Sequence, residues 1–241
     1  MANILIACEK SRRVASAFEK LGHHAVSCDI LPAEQEGEHI QDDVLKHLDD
    51  GWDMMIAHPD CTYLANSGVH WLSRQPGRFG AMVRSAIFFK TLLDTDIPLI
   101  VIENPIPHRY ALEIIGKKYD QIVQPYRFGE DASKATCLWL KGLPPLTPTK
   151  FIEPHYACRC GSTYRFEYAL GKYGCPNCGG EYTARAVWGN QTKSGQNRIP
   201  PSKARKTDRA RTYQGVADAM ANQWGEIAAK RCSQEVMELG L

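Results

Sequence analysis

Short apolar runs alternate with stretches of helical periodicity through the first half of the chain, and no other feature narrows the fold as far. Residues 3–8, 24–29, 52–57 and 98–103 are runs of strand length, and the last is very apolar. Between them, residues 12–21 and 78–93 carry apolar side chains at helical spacing. Near-continuous apolar strands separated by helices are the pattern of βαβ units, which bury both faces of a mostly parallel sheet. Residues 122–126 and 136–140 are expected to add two further strands. The expected class is therefore α/β, with helices on both faces of the sheet.

The pattern changes after Lys141. Pro144, Pro145, Pro148 and Pro154 exclude regular helix or central strand there. A stretch rich in cysteine and glycine follows over 155–182. Then comes a polar segment with Lys193, Arg198, Lys203, Arg205, Lys206, Arg209 and Arg211 against the single acid Asp208. Residues 215–231 are expected to form a closing helix. This predicts a core over 1–140, an insert over 141–195, and a basic segment with a C-terminal helix over 196–241 that returns to the core.

Composition removes several classes. With 44% apolar and 23% charged residues the chain is neither disordered nor coiled coil. Twenty-nine basic against 27 acidic side chains give +2, so any nucleic-acid surface must be local. The longest apolar runs, such as 97–102, fall far short of the roughly 20 residues of a membrane span. Glu9 and Lys10 interrupt the N-terminus before an export signal could form, and the nine cysteines are an odd number. Both point to a reducing, cytoplasmic setting rather than a disulfide framework.

Ligands of open α/β sheets bind at the carboxyl ends of the strands. That rule selects residues 7–13, 29–31, 58–68 and 103–107, and Asp29, Cys61 and Glu103 all fall within them. Cys61 sits in His58-Pro59-Asp60-Cys61-Thr62. A thiol with an ordinary pKa of about 8.5 needs a cation or a helix N-terminus to become a nucleophile. Glu103 closes the most apolar run, where desolvation raises a carboxyl pKa and suits it to donate a proton. Taken singly, the first could be an inert buried thiol and the second a helix-capping acid. Together, a thiol and a protonatable carboxyl on neighbouring strand ends suit attack on an electron-poor ring carbon.

These residues resemble the cytosine-C5 DNA methyltransferase superfamily in a compact form, similar to small phage and bacterial members. The nucleophile loop of that family, Pro-Pro-Cys-Gln before a small-residue stretch ending in Gly, resembles Pro59-Asp60-Cys61-Thr62 and Ala65-Asn66-Ser67-Gly68. Its Glu-Asn-Val resembles Glu103-Asn104-Pro105. The resemblance implies a Rossmann-like S-adenosylmethionine methyltransferase core, with Cys61 as nucleophile, Glu103 at the pyrimidine N3 and Lys134 on a basic strand aimed at the site. It also implies cofactor contacts from Cys8, Glu9, Asp29, Ile30, Asp43 and Pro59. His58 and Arg109 are available to favour the thiolate or to hold phosphate. The first loop, Ala7-Cys8-Glu9-Lys10-Ser11-Arg12-Arg13, has none of the family's glycines, and Asp60 stands where the family has proline.

Cys158-x-Cys160 and Cys175-x-x-Cys178, 14 residues apart, form two knuckles suited to tetrahedral Zn²⁺ in a small ribbon, with His155 as an alternative ligand. The insert lies where the resembled family carries its target-recognition region. DNA is the expected partner, through the ribbon and the segment from Lys193 to Arg211. Arg165, Lys172 and Arg185 are available for phosphates, and Tyr164, Phe166, Tyr168 and Tyr173 for base stacking. Two alternatives stay open: the same chemistry on RNA or a free pyrimidine nucleotide, and an inactive homologue that binds nucleic acid.

Overall fold

Strand β1 (Asn3–Ala7) has four successive buried residues, as a strand covered on both faces must. In the computed structural model, which describes residues 1–158, 160, 162–165, 175, 177–179, 182–192, 198 and 210–238, it lies inside a seven-stranded sheet. The other strands are β2 (His24–Cys28), β3 (His39–Ile40), β4 (Met54–Ala57), β5 (Leu99–Pro105), β6 (Gln121–Val123) and β7 (Thr136–Lys141). Their order is β3-β2-β1-β4-β5-β7-β6. β1 to β5 pair in parallel, and β7 runs antiparallel to both β5 and β6. This is a mostly parallel, Rossmann-like α/β sheet with one antiparallel strand, β7, inserted near its edge. Helices α1 (Arg13–Glu19), α2 (Arg78–Leu93) and α3 (Arg109–Ile115) belong to the same unit, which comprises 1–123, 135–147 and the chain from Ala217.

Side-chain spacing explains the elements. α2 buries Met82, Ala86, Phe89, Leu92 and Leu93, one face at helical period. Phe89 and Tyr119 meet Trp139 edge-on at 4.8 and 5.8 Å, and the Trp139 indole N–H donates to Lys117 O at 2.9 Å. The strand expected over 122–126 ends at Val123, because Pro125 opens a 3-10 turn and has no N–H for a ladder. The two-residue β3 and the short α3 were not foreseen, being too short to show a period.

Helix α4 (Gln214–Glu238) closes this unit. Trp224 is fully buried and donates to Pro144 O at 3.0 Å, while the Gln223 amide both accepts from and donates to the Thr147 backbone. Gly225 lies against His23: a Cβ there would stand 2.7 Å from Nε2. Gly225→Ala is expected to lower stability by about 1–3 kcal/mol through overpacking. Burial lowers the pKa of His23, with the nearby N-terminus adding to the effect. The folded state thus holds this ring neutral, so its contribution is present above the unfolded value of 6.5 and lost as pH falls below it. Urea midpoints at pH 7.5 and 5.5 check this, and His23→Phe should flatten the difference.

The second unit comprises Gln124–Lys134 and Pro148–Val216. Its sheet is β8 (His155–Cys158), β9 (Thr163–Arg165) and β10 (Tyr182–Val187), antiparallel in the order β10-β8-β9. Tyr126 stacks on Trp188 at 4.4 Å. The Asn190 amide brackets Ser133, accepting from its N–H and donating to its carbonyl. Among the described residues no helix is long and apolar enough to cross a membrane.

Candidate active site and cysteine cluster

The loop after β1 takes the glycine geometry without glycine. Cys8 and Arg12 both lie in the left-handed region, at φ 58° and 57°, where an L residue costs about 1–2 kcal/mol. Two buried polar groups hold this shape. The Glu9 carboxylate accepts from Ser11 Oγ at 2.8 Å and from the Val14 and Ala15 N–H groups at 2.9 and 3.3 Å, which caps the N-terminus of α1. The wholly buried Arg12 guanidinium donates to the carbonyls of Glu36 and Glu38 and pairs with Glu19. A Cβ on Gly37 would strike it. Arg12→Ala is expected to destabilise the fold by about 2–5 kcal/mol in urea unfolding, because it empties the space of a wholly buried side chain and removes the donor to Glu36 O.

Acidic groups gather around Cys8. Burial first, then the charges of Asp29, the neighbouring Cys28 thiol, Asp43 and Asp60 push its pKa up to about 12. Cys8 therefore stays a neutral thiol at physiological pH. Asp29 follows β2 and accepts from the Leu31 N–H at 2.9 Å. Ile30 beside it is 73% exposed. Asp43 caps a 3-10 turn through the Leu45 N–H.

Cys61 lies in the loop that leaves β4. Pro59 is buried and its carbonyl accepts from Asn104 Nδ2 at 3.1 Å. The Cys61 carbonyl accepts from the Leu64 and Ala65 N–H groups, and the Asn66 N–H donates to Ile106 O at 2.8 Å. His108 fixes the far side, donating its backbone N–H to Leu64 O and contacting Tyr63 O through its ring. Arg78 donates to Thr62 O at 3.0 Å and lies over the Tyr63 ring. The Asp60 carboxylate is turned into the loop, accepting from both N–H and Oγ1 of Thr62. The nucleophile loop is thus tied at several points to the segment after β5.

Glu103 lies just before that segment, buried within β5. His58 Nδ1 stands 2.9 Å from Glu103 Oε2. The sequence offered no signal for this contact beyond a histidine at a strand end. Arg109 instead donates to the Tyr110 hydroxyl and lies over its ring at 4.7 Å. Lys134 belongs to the second unit, where its N–H donates to Gln124 Oε1 at 3.0 Å.

In the second unit the Sγ atoms of Cys158, Cys160, Cys175 and Cys178 all lie within 4.8 Å of one another. Cys158–Cys178 and Cys160–Cys175 are each 3.6 Å apart. That matches the roughly 3.8 Å edge of a tetrahedron with Zn–S of about 2.3 Å, and far exceeds an S–S bond of about 2.05 Å. Gly179, at φ 67°, gives the second knuckle its turn and donates to Cys175 O. Hydrogen bonds with Ser162 bring the Cys160 thiol down to about 5, so it offers a thiolate. His155, expected as an alternative ligand, is absent from the cluster and pairs with Asp131 at 2.9 Å. Tyr164 and Arg165 lie on β9 and Arg185 on β10. Phe166, Tyr168, Lys172 and Tyr173, and all of 193–211 except Arg198, Ala210 and Arg211, lie outside the described residues.

No protein-family model matches the sequence, and no curated protein matches it. Among solved structures, it is similar to a protein described as a DNA modification methyltransferase encoded within an E. coli prophage. Identity there is 13%, covering 73% of this chain and 56% of that one, with a TM-score of 0.40. It is also similar to the Entamoeba histolytica methyltransferase EhMeth, at 15% identity over 64% of this chain and 58% of that one, with a TM-score of 0.42. For the S. pombe Dnmt2 methyltransferase the values are 14%, 60%, 50% and 0.35. The chain spans between half and three-fifths of the length of these proteins. With TM-scores below 0.5, the likenesses add nothing to the geometry above.

Proposed function

We propose that the protein methylates C5 of cytosine in DNA, using S-adenosylmethionine and a transient covalent bond to Cys61. One observation carries this reading: a thiol-bearing loop after β4, tied through Asn104 to β5, which carries a buried carboxyl, Glu103, near its end. The surroundings of Cys8 fit the cofactor. Asp29, Asp43 and Asp60 suit a ligand bearing sulfonium and ammonium charges, and the exposed Ile30 suits the face of an adenine ring. Asp29 would hold the ribose hydroxyls and Asp43 the adenine amine, with Cys8, Glu9 and Pro59 contributing backbone and shape. When bound, S-adenosylmethionine supplies an electrophilic methyl.

The chain's own residues supply the rest. The Cys61 thiolate adds to C6 of the ring while Glu103 gives a proton to N3, so the electron pair of the C5–C6 double bond becomes available at C5. After C5 has been methylated its proton is lost to water, the C6–S bond breaks to release the Cys61 thiolate, C5–C6 becomes double again and N3 returns its proton to Glu103. Lys134 would supply a cation to the bound nucleic acid. In duplex DNA the target must first leave the stack. The four cysteines would hold a structural Zn²⁺, and the basic segment from Lys193 to Arg211 would neutralise phosphates with salt-dependent affinity.

One observation favours a second reading, a nucleic-acid-binding protein without the chemistry. The first loop has side chains where glycines would admit a cofactor closely, and its Glu9 is engaged in capping α1. Nucleoside mass spectrometry of DNA from cells expressing the protein decides between them. New 5-methylcytosine is expected. Unmodified DNA together with retained DNA binding in the purified protein would establish the second reading, and methylated RNA or free nucleotide would move the substrate class.

A further inference from the structure

Besides the thiol and the carboxyl, a third titratable side chain stands at these strand ends. His58 directly follows β4, and its backbone N–H donates to Ala7 O at 2.9 Å, which fixes it to β1. Its ring reaches across to β5, with Nδ1 2.9 Å from Glu103 Oε2 and side-chain exposures of 12% and 8%. The adjacent Pro59 carbonyl is held by Asn104, the residue after Glu103. The histidine and the glutamate are therefore locked together by side chain and backbone at once.

We propose that His58 is a positioning residue for Glu103, donating from Nδ1–H to Oε2. This rests on the reading of Glu103 as the group at the pyrimidine N3. A buried carboxyl with no fixed donor can rotate and carry its proton on either oxygen. A hydrogen bond to Oε2 fixes the carboxyl plane and directs the transferable proton to Oε1. The cycle balances: Oε1–H gives its proton to N3 as Cys61 adds to C6, and recovers it as Cys61 leaves. His58 retains its own proton throughout. The residue that the sequence left available to favour the thiolate or to hold phosphate acts instead on the acid.

Two substitutions separate hydrogen bonding from packing. His58→Asn keeps an N–H donor near the Nδ1 position, and His58→Leu keeps the bulk without a donor. With unmodified plasmid DNA and S-adenosylmethionine, His58→Leu is expected to lower kcat about 100-fold with KM for DNA unchanged, and His58→Asn to recover to within about 10-fold. Equal losses in the two variants, or a loss confined to KM, would overturn the proposal. Nitrogen NMR of histidine-labelled full-length protein gives a readout that needs no activity. The His58 ring should carry its proton on Nδ1 and move to the Nε2–H form in Glu103→Ala. An Nε2–H ring in the native protein overturns the proposal whatever the activity. The Nδ1–H ring, lost in Glu103→Ala, supports it even if wild type leaves DNA unmodified, a result that would overturn only the DNA-methylation reading.

Discussion

Replacing Cys61 with serine is expected to reduce 5-methylcytosine formation by roughly 10⁴-fold or more while leaving the melting temperature within about 2 °C of wild type. The size of the effect follows from the chemistry. A hydroxyl is far harder to ionise than a thiol and a poorer nucleophile toward C6, and without that bond C5 has no electron density to offer. The small effect on stability follows from the structure. The loop is held by the Cys61 carbonyl, the Asn104–Pro59 bond, His108 and Arg78, and each of these contacts survives the change. Cys8 cannot substitute, because burial and three nearby carboxylates keep its thiol protonated. A control follows: Cys8→Ser should retain the capacity for covalent attack. A Cys61→Ser protein that methylates DNA at more than a few per cent of the wild-type rate would refute the covalent mechanism.

Removing metal is the second large perturbation. Elemental analysis is expected to find one zinc per chain, and Cys175→Ala should abolish it. Structural zinc contributes apparent binding energies of about 10–16 kcal/mol in small zinc domains, so a three-stranded ribbon cannot hold its shape without it. Cys158 and Cys175 are buried, so loss of the metal would leave two unliganded thiols inside the ribbon. Chelation should therefore open residues 155–187 to protease while the first unit keeps its own unfolding transition. Full protease resistance in a metal-free preparation would remove the zinc reading.

The sequence carried the parallel sheet because β1, β4 and β5 are apolar on both faces, a property written in consecutive residues. It carried the placement of Cys61 after β4 and of Glu103 near the end of β5 because each closes an apolar run of strand length. The Cys-x-Cys and Cys-x-x-Cys spacing likewise pointed to a four-thiolate cluster, which the structure brings within ligating range. What it could not carry were contacts set by tertiary closure. His58 meets Glu103 only because β4 and β5 pair with Ala57 opposite Ile102. Arg12 has the composition of a surface residue, yet it is buried because the chain from 36 to 38 presents carbonyls to it. The left-handed backbone at Cys8 and Arg12 is invisible to a search for glycine. His155, whose spacing left it open as a substitute ligand, is instead claimed by Asp131, distant in sequence.

The chain path has a consequence for biogenesis. The first unit is interrupted after Val123, resumes for Ala135–Thr147, and is completed only by residues from Ala217 onward, including the buried Met220 and Trp224. At translation rates of about 5–20 residues per second, the nascent parallel strands wait roughly 5–20 s between Val123 and Ala217 for the helix that completes their unit. The ribbon cysteines all emerge in that interval, so the ribbon can close on its metal while the larger sheet is still incomplete. Metal starvation would then act on the ribbon before the polypeptide leaves the ribosome, while the strands of the first unit still wait for their last helix.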